Sequence, residues 1–356
     1  MLNDYNGNLF IVGAFSDAVK VQYATVTTSS KDLFVFKLNQ SGILEWLVQL
    51  DVDHDRESPV IANMDSNDDV HIMFLNTSQE LVLAHVCNYG ECKQIKVLIK
   101  DGFPLRDYRM TCDTNVYFCC TFNKEVNTDR MVRGESIVCK LDYDYEFLWT
   151  KNLESKASCI DIFEESVIIS GLDDEQAFVM TTSLKGYNDE MYYFPKVLNI
   201  VKVHDMVIDV NQDVYLVAEK MLTKPEQISS DPEVEQESLS AVEVVKVCKD
   251  GSAEIVKSFA VPTGRMNLQG YLWCNKFYLY LSIDNHNTVV FRNFKMFTEI
   301  DEDFNMFHPA LSFEENTMFQ GGSFLTSSSV DVSEFKDVIK LRGPQHHAYF
   351  VVGVNL

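Results

Sequence analysis

The strongest constraint on the fold of this chain is an internal repeat. The letters VFKL at 35–38, with Trp46 after them, return as VCKL at 138–141, with Trp149 after them, and every matched residue is displaced by 103 positions. The letters FIVGAF at 10–15 return as FQGGSF at 319–324, displaced by 309 positions. Two copies and six copies of one unit account for the two displacements. The sequence therefore predicts seven units of about 51 residues, a period typical of propeller blades.

Turns rich in Asp and Asn mark the units a second time. The clear copies lie at 4–8, 65–69, 113–115 and 209–213, with degenerate copies at 164–166, 274–276 and 314–316. Because Asp and Asn hydrogen-bond to their own backbone and tolerate left-handed conformations, these segments favour tight hairpin turns. Each unit then contains four short strands, A to D, with a lysine inside strand C of several units. Four strands in a period of about 50 residues favour a β-propeller over a sandwich or a barrel.

We therefore predict an all-β chain that forms one seven-bladed β-propeller over residues 1–356, with four short antiparallel strands in each blade. The predicted blades lie at about 1–50, 57–100, 106–153, 157–200, 203–260, 268–304 and 306–356. The segment 219–240 contains two prolines and many acidic residues, so we expect a flexible acidic insertion between strands B and C. Smaller insertions at the same B–C position are candidates for a shared contact surface. They lie at 16–31, 123–135 and 325–346.

The two ends of the chain do not complement each other in this scheme. The first blade starts at strand B and the last blade ends at strand C, near 347–356, so the sequence predicts incomplete strands at the seam between the terminal blades. An uncovered strand edge is a template for pairing with another chain. We expect a partner contact at this seam, through His346, His347, Tyr349, Phe350, Val351 and Val352.

The first unit resembles a known repeat family. It carries NGNLFIVGAF at 6–15, DLFVFKLN at 32–39, then Ser41-Gly42 and Trp46. This pattern is similar to the bacterial seven-bladed β-propeller repeat family, the SBBP type, and to its version in proteins of giant double-stranded DNA viruses. The resemblance is good in blades one and three, partial in five and seven, and weak in the others. It implies a propeller fold and no chemistry, because the matching residues are turn and core positions.

The function we expect is a non-enzymatic protein-interaction or assembly scaffold. Its partners would be other proteins of a larger assembly. The resemblance gives a concrete version, a structural component of a giant-virus particle with capsid or virion proteins as partners. A carbohydrate-binding or adhesion propeller, and a propeller enzyme with a site in the central channel, are the alternatives.

The net charge of the chain limits the classes of partner that it could bind. The formal net charge is −23 at pH 7, and such a surface repels phosphate backbones, so we expect no direct nucleic-acid contact. Basic proteins, cationic peptides or divalent cations are favoured instead, although a high net charge also serves solubility alone. No apolar run approaches the roughly 18 residues of a transmembrane helix, and residues 1–10 lack the pattern of a signal peptide.

The nine cysteines indicate a reducing environment. Most of them lie inside apolar runs such as 117–120, which suits buried thiols better than a disulfide framework. We therefore expect an intracellular reducing compartment or a virion rather than secretion. Cys87 and Cys92 flank the turn 88–91 and leave open a hairpin disulfide or half of a zinc site.

Motifs that carry chemistry are sparse. The letters DVDHD at 51–55 resemble the start of a calcium loop, but Arg56 and Ala62 stand where Gly and Glu are needed. The histidines are scattered, and the sequence contains no nucleophile elbow, Gly-rich phosphate loop or HExxH motif. We expect no enzyme activity, no cofactor and no metal.

Two residue types recur at fixed places in the repeat. Lys37, Lys140 and Lys246 share one position in strand C, where we expect exposed lysines that discourage edge-to-edge pairing. Trp46 and Trp149 share one position in strand D, where we expect packing between blades.

Overall fold

A computed structural model gives the architecture of the chain. It describes residues 1–55, 58–100, 105–122, 135–174, 176–194, 200–221, 239–248, 251–262, 266–273, 276–283, 286–292, 295–300, 307–314, 317–324, 337–341 and 348–355. Every regular element in these ranges is a β-strand, so the all-β prediction is confirmed. No helix in the described part of the chain is long and apolar enough to cross a membrane.

The described strands form seven four-stranded sheets and one short hairpin. Sheet 1 contains β1 (Leu2–Asn3), β2 (Leu9–Phe15), β5 (Asp32–Leu38) and β6 (Leu44–Leu50). Sheet 2 contains β7 (Ile61–Met64), β8 (Val70–Leu75), β9 (Leu81–Val86) and β10 (Cys92–Ile99). Sheet 3 contains β11 (Leu105–Cys112), β12 (Val116–Phe122), β13 (Ser136–Leu141) and β14 (Phe147–Leu153). Sheet 4 contains β15 (Lys156–Phe163), β16 (Ser166–Asp173), β17 (Gln176–Ser183) and β18 (Glu190–Tyr193).

The remaining sheets follow the same plan. Sheet 5 contains β19 (Ile200–Ile208), β20 (Val214–Met221), β21 (Leu239–Val247) and β22 (Ala253–Pro262). Sheet 6 contains β23 (Met266–Trp273), β24 (Lys276–Ile283), β25 (His286–Arg292) and β26 (Lys295–Ile300). Sheet 7 contains β27 (Phe307–Glu314), β28 (Thr317–Phe324), β29 (Asp337–Leu341) and β30 (Ala348–Asn355). The hairpin consists of β3 (Ala18–Val21) and β4 (Ala24–Thr27).

Each sheet is antiparallel and comes from one continuous stretch of chain. We name the four strands of a sheet A to D in spatial order. In sheets 1 to 6 the spatial order follows the chain, whereas sheet 7 has the order β27-β28-β30-β29. Its strand C is therefore β30, and its strand D is the earlier segment β29.

The core lies between the sheets. β8, β9 and β12 are buried along their whole length, because the middle strands are covered on both faces by neighbouring sheets. Separate apolar clusters join sheets 1 and 2, 2 and 3, 3 and 4, and 4 and 5. Strands A also touch in succession: β1 contacts β7, and the contacts continue through β11, β15 and β19 to β23. β1 contacts β27 of the last sheet as well.

The prediction of incomplete strands at the seam is wrong. Sheet 1 has a strand A, because Leu2 and Asn3 pair with Phe10 and Leu9. Sheet 7 has a strand D. This strand is β29, which lies within the segment 325–346, where the sequence predicts an insertion, and it pairs along β30. β30 also pairs with β28 on its other side. Its backbone is thus occupied on both edges and offers no template for a docking strand.

The insertions differ from the sequence prediction at several points. In the segment 16–31, the hairpin β3–β4 folds along the outer edge of sheet 1, where Gln22 bonds both Gly42 O at 2.7 Å and Leu44 N at 3.0 Å. The ends of the segment 219–240 are regular strand, since β20 runs to Met221 and β21 begins at Leu239. The middle of that segment, 222–238, and most of 123–135 lie outside the described residues.

Candidate functional site

The A–B and C–D turns form one continuous surface. In an antiparallel sheet both turns lie at the same end, and here turns of neighbouring sheets also touch. The Ser66 amide of sheet 2 donates to Asp113 O of sheet 3 at 3.1 Å, and Gln212 Nε2 of sheet 5 donates to Glu164 Oε2 of sheet 4 at 2.8 Å. Within sheet 4, the Leu184 amide of the C–D turn donates to Glu165 O of the A–B turn at 2.9 Å. We name this surface the turn face. It comprises residues 4–8, 39–43, 65–69, 87–91, 113–115, 142–146, 164–165, 183–187 and 209–213.

Side-chain hydrogen bonds close the turns, in most of them to a carboxylate and elsewhere to Asn39, Cys87 or Ser183. Asp4 Oδ1 accepts the backbone N–H groups of Asn6 and Asn8 at 2.9 and 2.8 Å, and Asp209 closes its turn in the same way. Such bonds replace solvent contacts of the backbone and hold one conformation. In Asp65, burial alone would raise the pKa, but the hydrogen bonds from His71 and from two backbone amides lower it below its usual value.

Exposed aromatic and apolar side chains stand on these rigid turns. Tyr5 is 94% exposed, Tyr187 69% and Tyr89 63%, and Val210 is 73% exposed. Tyr143 and Ile43 are exposed as well. Around them the same segments carry many carboxylates and a single cation, Lys185. The turn face is therefore acidic and carries several exposed tyrosines.

Beneath the turn face, sheets 1, 3 and 5 repeat one cross-strand layer. An aromatic residue in strand B pairs with a lysine in strand C, and the lysine ammonium lies over the ring. The three distances from Nζ to the ring centroid belong to the pairs Lys37–Phe10 at 5.1 Å, Lys140–Tyr117 at 5.0 Å and Lys246–Tyr215 at 5.8 Å. Lys37 is largely buried and ion-pairs with Asp4 at 3.5 Å. The prediction of exposed edge lysines is thus wrong, because each ammonium lies over a ring and is also bound by an oxygen. A carboxylate binds Lys37 and Lys246, and Leu184 O binds Lys140.

Strand D adds a tryptophan to the layer in sheets 1 and 3. Trp46 Nε1 donates to Asn88 O of sheet 2 at 3.0 Å, and Trp149 Nε1 donates to Leu184 O of sheet 4 at 3.1 Å. Each indole packs on a turn glycine of the next sheet, since a Cβ on Gly90 would lie 2.8 Å from the Trp46 ring. The prediction that these tryptophans pack between blades is confirmed.

Sheet 2 has a different residue at each position of this cross-strand layer. His71 replaces the aromatic residue, His85 replaces the lysine and Gln94 replaces the tryptophan. The turn glycine of sheet 3 is replaced by Tyr145, which keeps the left-handed φ of 60°. Its ring is fully buried, and we infer that it fills the space that an indole fills in the other interfaces.

Three of the replacements, His71, His85 and Tyr145, form one buried polar network with Asp65 and Asp69. The rings of His71 and His85 are stacked with centroids 4.8 Å apart. His71 Nδ1 lies 2.7 Å from the Tyr145 hydroxyl, and its Nε2 lies 3.3 Å from Asp65. His85 Nε2 lies 2.9 Å from Asp69. Burial lowers the pKa of His85 more than Asp69 raises it, and burial raises the pKa of Tyr145.

Sheet 4 also departs from the layer, and a cavity results. Ile168, Thr181 and Glu190 stand in the positions of the aromatic residue, the lysine and the tryptophan. All three line a cavity of about 310 Å³ between sheets 4 and 5. Its other walls include Val214 and Gln212 of sheet 5. The cavity opens at the turn face, because Gln212 belongs to that face.

The partner residues predicted at the seam are not brought together into a site by the described structure. Tyr349, Phe350, Val351 and Val352 lie in β30, paired on both sides. His346 and His347 lie outside the described residues. A partner contact at this place stays a prediction, without the open strand edge on which it was based.

The calcium-like segment 51–55 lies between sheets 1 and 2 and is bound to the turn between β8 and β9 of sheet 2. Asp53 accepts a hydrogen bond from Thr77, and Asp55 accepts one from Gln79 at 2.7 Å. Among the described residues no group of three or more His, Cys, Asp or Glu side chains could hold a metal ion. The eight cysteines in the described ranges are free, Cys87 and Cys92 included, and Cys274 lies outside them.

Sequence reasoning missed the turn face as a surface. Its signal is present in the sequence, because several turns carry a tyrosine or valine that no core position requires, as in Asp4-Tyr5-Asn6 and Asp209-Val210-Asn211. The cavity had a weaker signal. Among the first five units, strand C lacks the lysine in two: unit two has a histidine there, and unit four has Thr181.

Comparisons with known proteins support the fold. No protein-family model matches the sequence, and no curated protein matches it. Among solved structures, a protein from Lactobacillus plantarum has a TM-score of 0.51 at 11% identity, over 94% of this chain and 96% of that one. BamB from Moraxella catarrhalis has a TM-score of 0.48 at 8% identity, over 97% of each chain. The seven four-stranded antiparallel sheets and the successive contacts of their strands A make the chain an all-β protein of propeller-like fold.

Proposed function

We propose that this chain is a seven-bladed β-propeller that works as a non-enzymatic interaction scaffold and binds a basic protein through its turn face. The observation that carries the proposal is the set of exposed tyrosines on turns that backbone and side-chain hydrogen bonds hold in one conformation. Seven four-stranded sheets, with strand A contacts that run from β1 to β23 and from β1 to β27, support the closed ring. The SBBP-like repeat of the first unit supports the same ring.

Tyrosine at such positions suits protein recognition. Tyr and Trp are enriched among residues that dominate binding energy, because they bury a large rigid surface at low cost in side-chain entropy. The side chains of Tyr5, Tyr89 and Tyr187 are well exposed, while the turns that hold them are closed by backbone and side-chain hydrogen bonds. A partner would therefore meet a surface that is already ordered, which reduces the entropy lost on binding.

The charge of the face selects the partner. Carboxylates surround the tyrosines, and complementary charge raises the association rate and excludes acidic partners. A basic protein of a larger assembly fits this surface. The resemblance to repeats of giant-virus proteins supports a capsid or virion protein as that partner.

A double variant tests the function. Tyr89→Ser with Tyr187→Ser should reduce the recovery of the partner at least tenfold when the native protein is isolated from its source, because two hot-spot residues are lost (about 1–2 kcal/mol each). The remaining binding should weaken as salt rises. Partners are identified and quantified by mass spectrometry.

The matched control is Tyr193→Ser. Tyr193 is 48% exposed but ends β18, at the far end of that strand from the turn 183–187. The control should bind as the unchanged protein does. Equal recovery with the double variant, at an unchanged melting temperature, would refute the assignment of the turn face.

A further inference from the structure

The cavity between sheets 4 and 5 occupies a place that other sheets fill with a lysine. Thr181 pairs with Ile168 in the register in which Lys37 pairs with Phe10, and Lys246 with Tyr215. Replacement of a lysine and an aromatic ring by Thr and Ile leaves room for a long side chain. The chain therefore contains its own templates for what the cavity could hold.

The templates show how a lysine is held in this layer. In sheet 1 the Lys37 ammonium lies 3.3 Å from Glu45 and 3.5 Å from Asp4. In sheet 5 the Lys246 ammonium lies 2.8 Å from Asp213. Each lysine thus lays its aliphatic stem along the layer and brings its charge to carboxylates at the turn end of the sheet.

Sheet 4 has no lysine in this layer, but it places a carboxylate at the strand D position that a tryptophan occupies in sheets 1 and 3. Glu190 pairs directly across from Thr181 and lines the cavity. It accepts a hydrogen bond from Tyr192 at 2.9 Å, and no lysine or arginine of the described residues forms an ion pair with it. The cavity therefore has a carboxylate that lacks the cation found in sheets 1 and 5.

The inner wall of the cavity suits the stem of the same side chain. Val179, Val214 and Val247 are buried and apolar. Ser166, Gln212 and Glu190 add polar groups to the lining, which also includes Phe163, Tyr192 and Cys248. A volume of about 310 Å³ is at the small end of ligand sites, which fits one extended side chain better than a large ligand.

We propose that this cavity receives a lysine side chain of the bound partner, with the methylenes against the valines and the ammonium at Glu190. The proposal rests on the proposed function, since the lysine would belong to the basic protein that meets the turn face. It adds a specificity pocket to that face, with Gln212 of the turn 209–213 in its wall.

A small probe tests the pocket without the partner. Nα-acetyl-lysine amide is titrated into methyl-labelled protein, and the NMR signals of Ile168, Val179 and Val214 are followed. We expect saturable shifts, and binding about fivefold weaker for the uncharged norleucine and Nε-acetyl-lysine analogues, because an ion pair with an exposed carboxylate such as Glu190 contributes up to about 1 kcal/mol.

Two variants act on the pocket in different ways. Thr181→Lys restores the lysine of the repeat, so it should fold with an unchanged or higher melting temperature and abolish the shifts. Glu190→Gln should leave the fold intact and remove the preference for lysine over norleucine. Thr181→Val, which keeps the volume, is the control and should bind the lysine probe.

The outcomes separate this proposal from the proposed function. Equal binding of lysine and norleucine, tighter binding of an arginine probe, or unchanged binding by Glu190→Gln would overturn the lysine pocket. A lysine probe that binds as expected, combined with unchanged partner recovery in the tyrosine double variant, would overturn the role of the turn face and leave the pocket standing.

Discussion

At the scale of single residues, the most informative position is Tyr145. It has a left-handed φ of 60°, whereas the equivalent turns of sheets 1, 2, 4 and 5 have glycine with φ between 72° and 86°. A bulky residue in this region is strained, and the strain is offset by burial of the ring and by the hydrogen bond to His71. The cluster of replacements around Tyr145 is thus one coordinated change.

Tyr145→Gly should destabilise the protein by about 2–4 kcal/mol. A buried aromatic ring is lost and His71 loses a hydrogen-bond partner, while relief of the left-handed strain returns about 1 kcal/mol. The quadruple variant His71→Tyr, His85→Lys, Gln94→Trp and Tyr145→Gly rebuilds the layer of sheets 1 and 3, so it should recover most of the loss. Urea unfolding measures both. A quadruple variant as unstable as the sum of its parts would contradict the coordinated change.

His85 of this cluster, together with His204, makes the free energy of unfolding depend on pH. Burial lowers the pKa of His85 and of His204, so the folded state favours the neutral rings. Their contribution to stability is fully present above the unfolded pKa of about 6.5 and is lost as pH falls through the folded pKa values. We expect the free energy of unfolding to decrease below pH 6.5, before most carboxylates titrate.

His85→Gln isolates one part of that dependence. The variant cannot take up the proton, so its stability should change less between pH 7 and pH 5 than that of the unchanged protein, and the double variant with His204→Gln should change least. Urea titrations at a series of pH values give the slopes. Parallel curves for all three proteins would show that other groups control the decrease.

At the scale of elements, a tryptophan of strand D packs on a turn glycine of the next sheet between sheets 1 and 2 and between sheets 3 and 4. Gly90 has φ 86°, and an added Cβ would lie 2.8 Å from the Trp46 ring. Gly90→Ala should therefore cost about 2–3 kcal/mol, from strain at a left-handed φ together with displacement of the indole. Gly42 has a φ of 72° in the equivalent turn of sheet 1. Gly42→Ala adds only the backbone strain, so we expect it to lower the free energy of unfolding by about 1 kcal/mol. Thermal melts compare the two, and equal losses would show that the indole contact adds nothing.

The elements also show how far sequence reasoning reached. Turns, strands and the tryptophan contacts were predictable, because Asx turns and alternating apolar runs leave local signals, as at 65–69 before Val70. The order of strands in sheet 7 was not predictable. β29 and β30 are both short apolar strands, and which of them lies inside depends on pairing with β28, for which the local sequence carries no signal. The cavity escaped for a related reason, since Thr181 is unremarkable until its register with Ile168 is known.

At the scale of the whole molecule, the sheets enclose most of the described thiols. Cys119, Cys120, Cys139 and Cys159 are buried, and burial raises the pKa of Cys119 and of Cys139 to about 12. Such thiols react slowly because the thiolate is the nucleophile. The native protein should therefore label with a maleimide mainly at Cys92, which is exposed, and all nine cysteines should label after denaturation without a reductant. Mass spectrometry counts the adducts, and a requirement for reductant would indicate disulfides.

The strand order of sheet 7 has a consequence for how the chain is made. β28 and β29 leave the ribosome before β30, yet neither pairs with the other, and β30 must enter between them. The last sheet can therefore assemble only after residue 355 has been synthesised, while sheets 1 to 6 are each finished as their own four strands appear. Until β30 is made, one edge of β28 and the whole of β29 lack their strand partner, and these exposed edges are targets for chaperones or for a neighbouring copy.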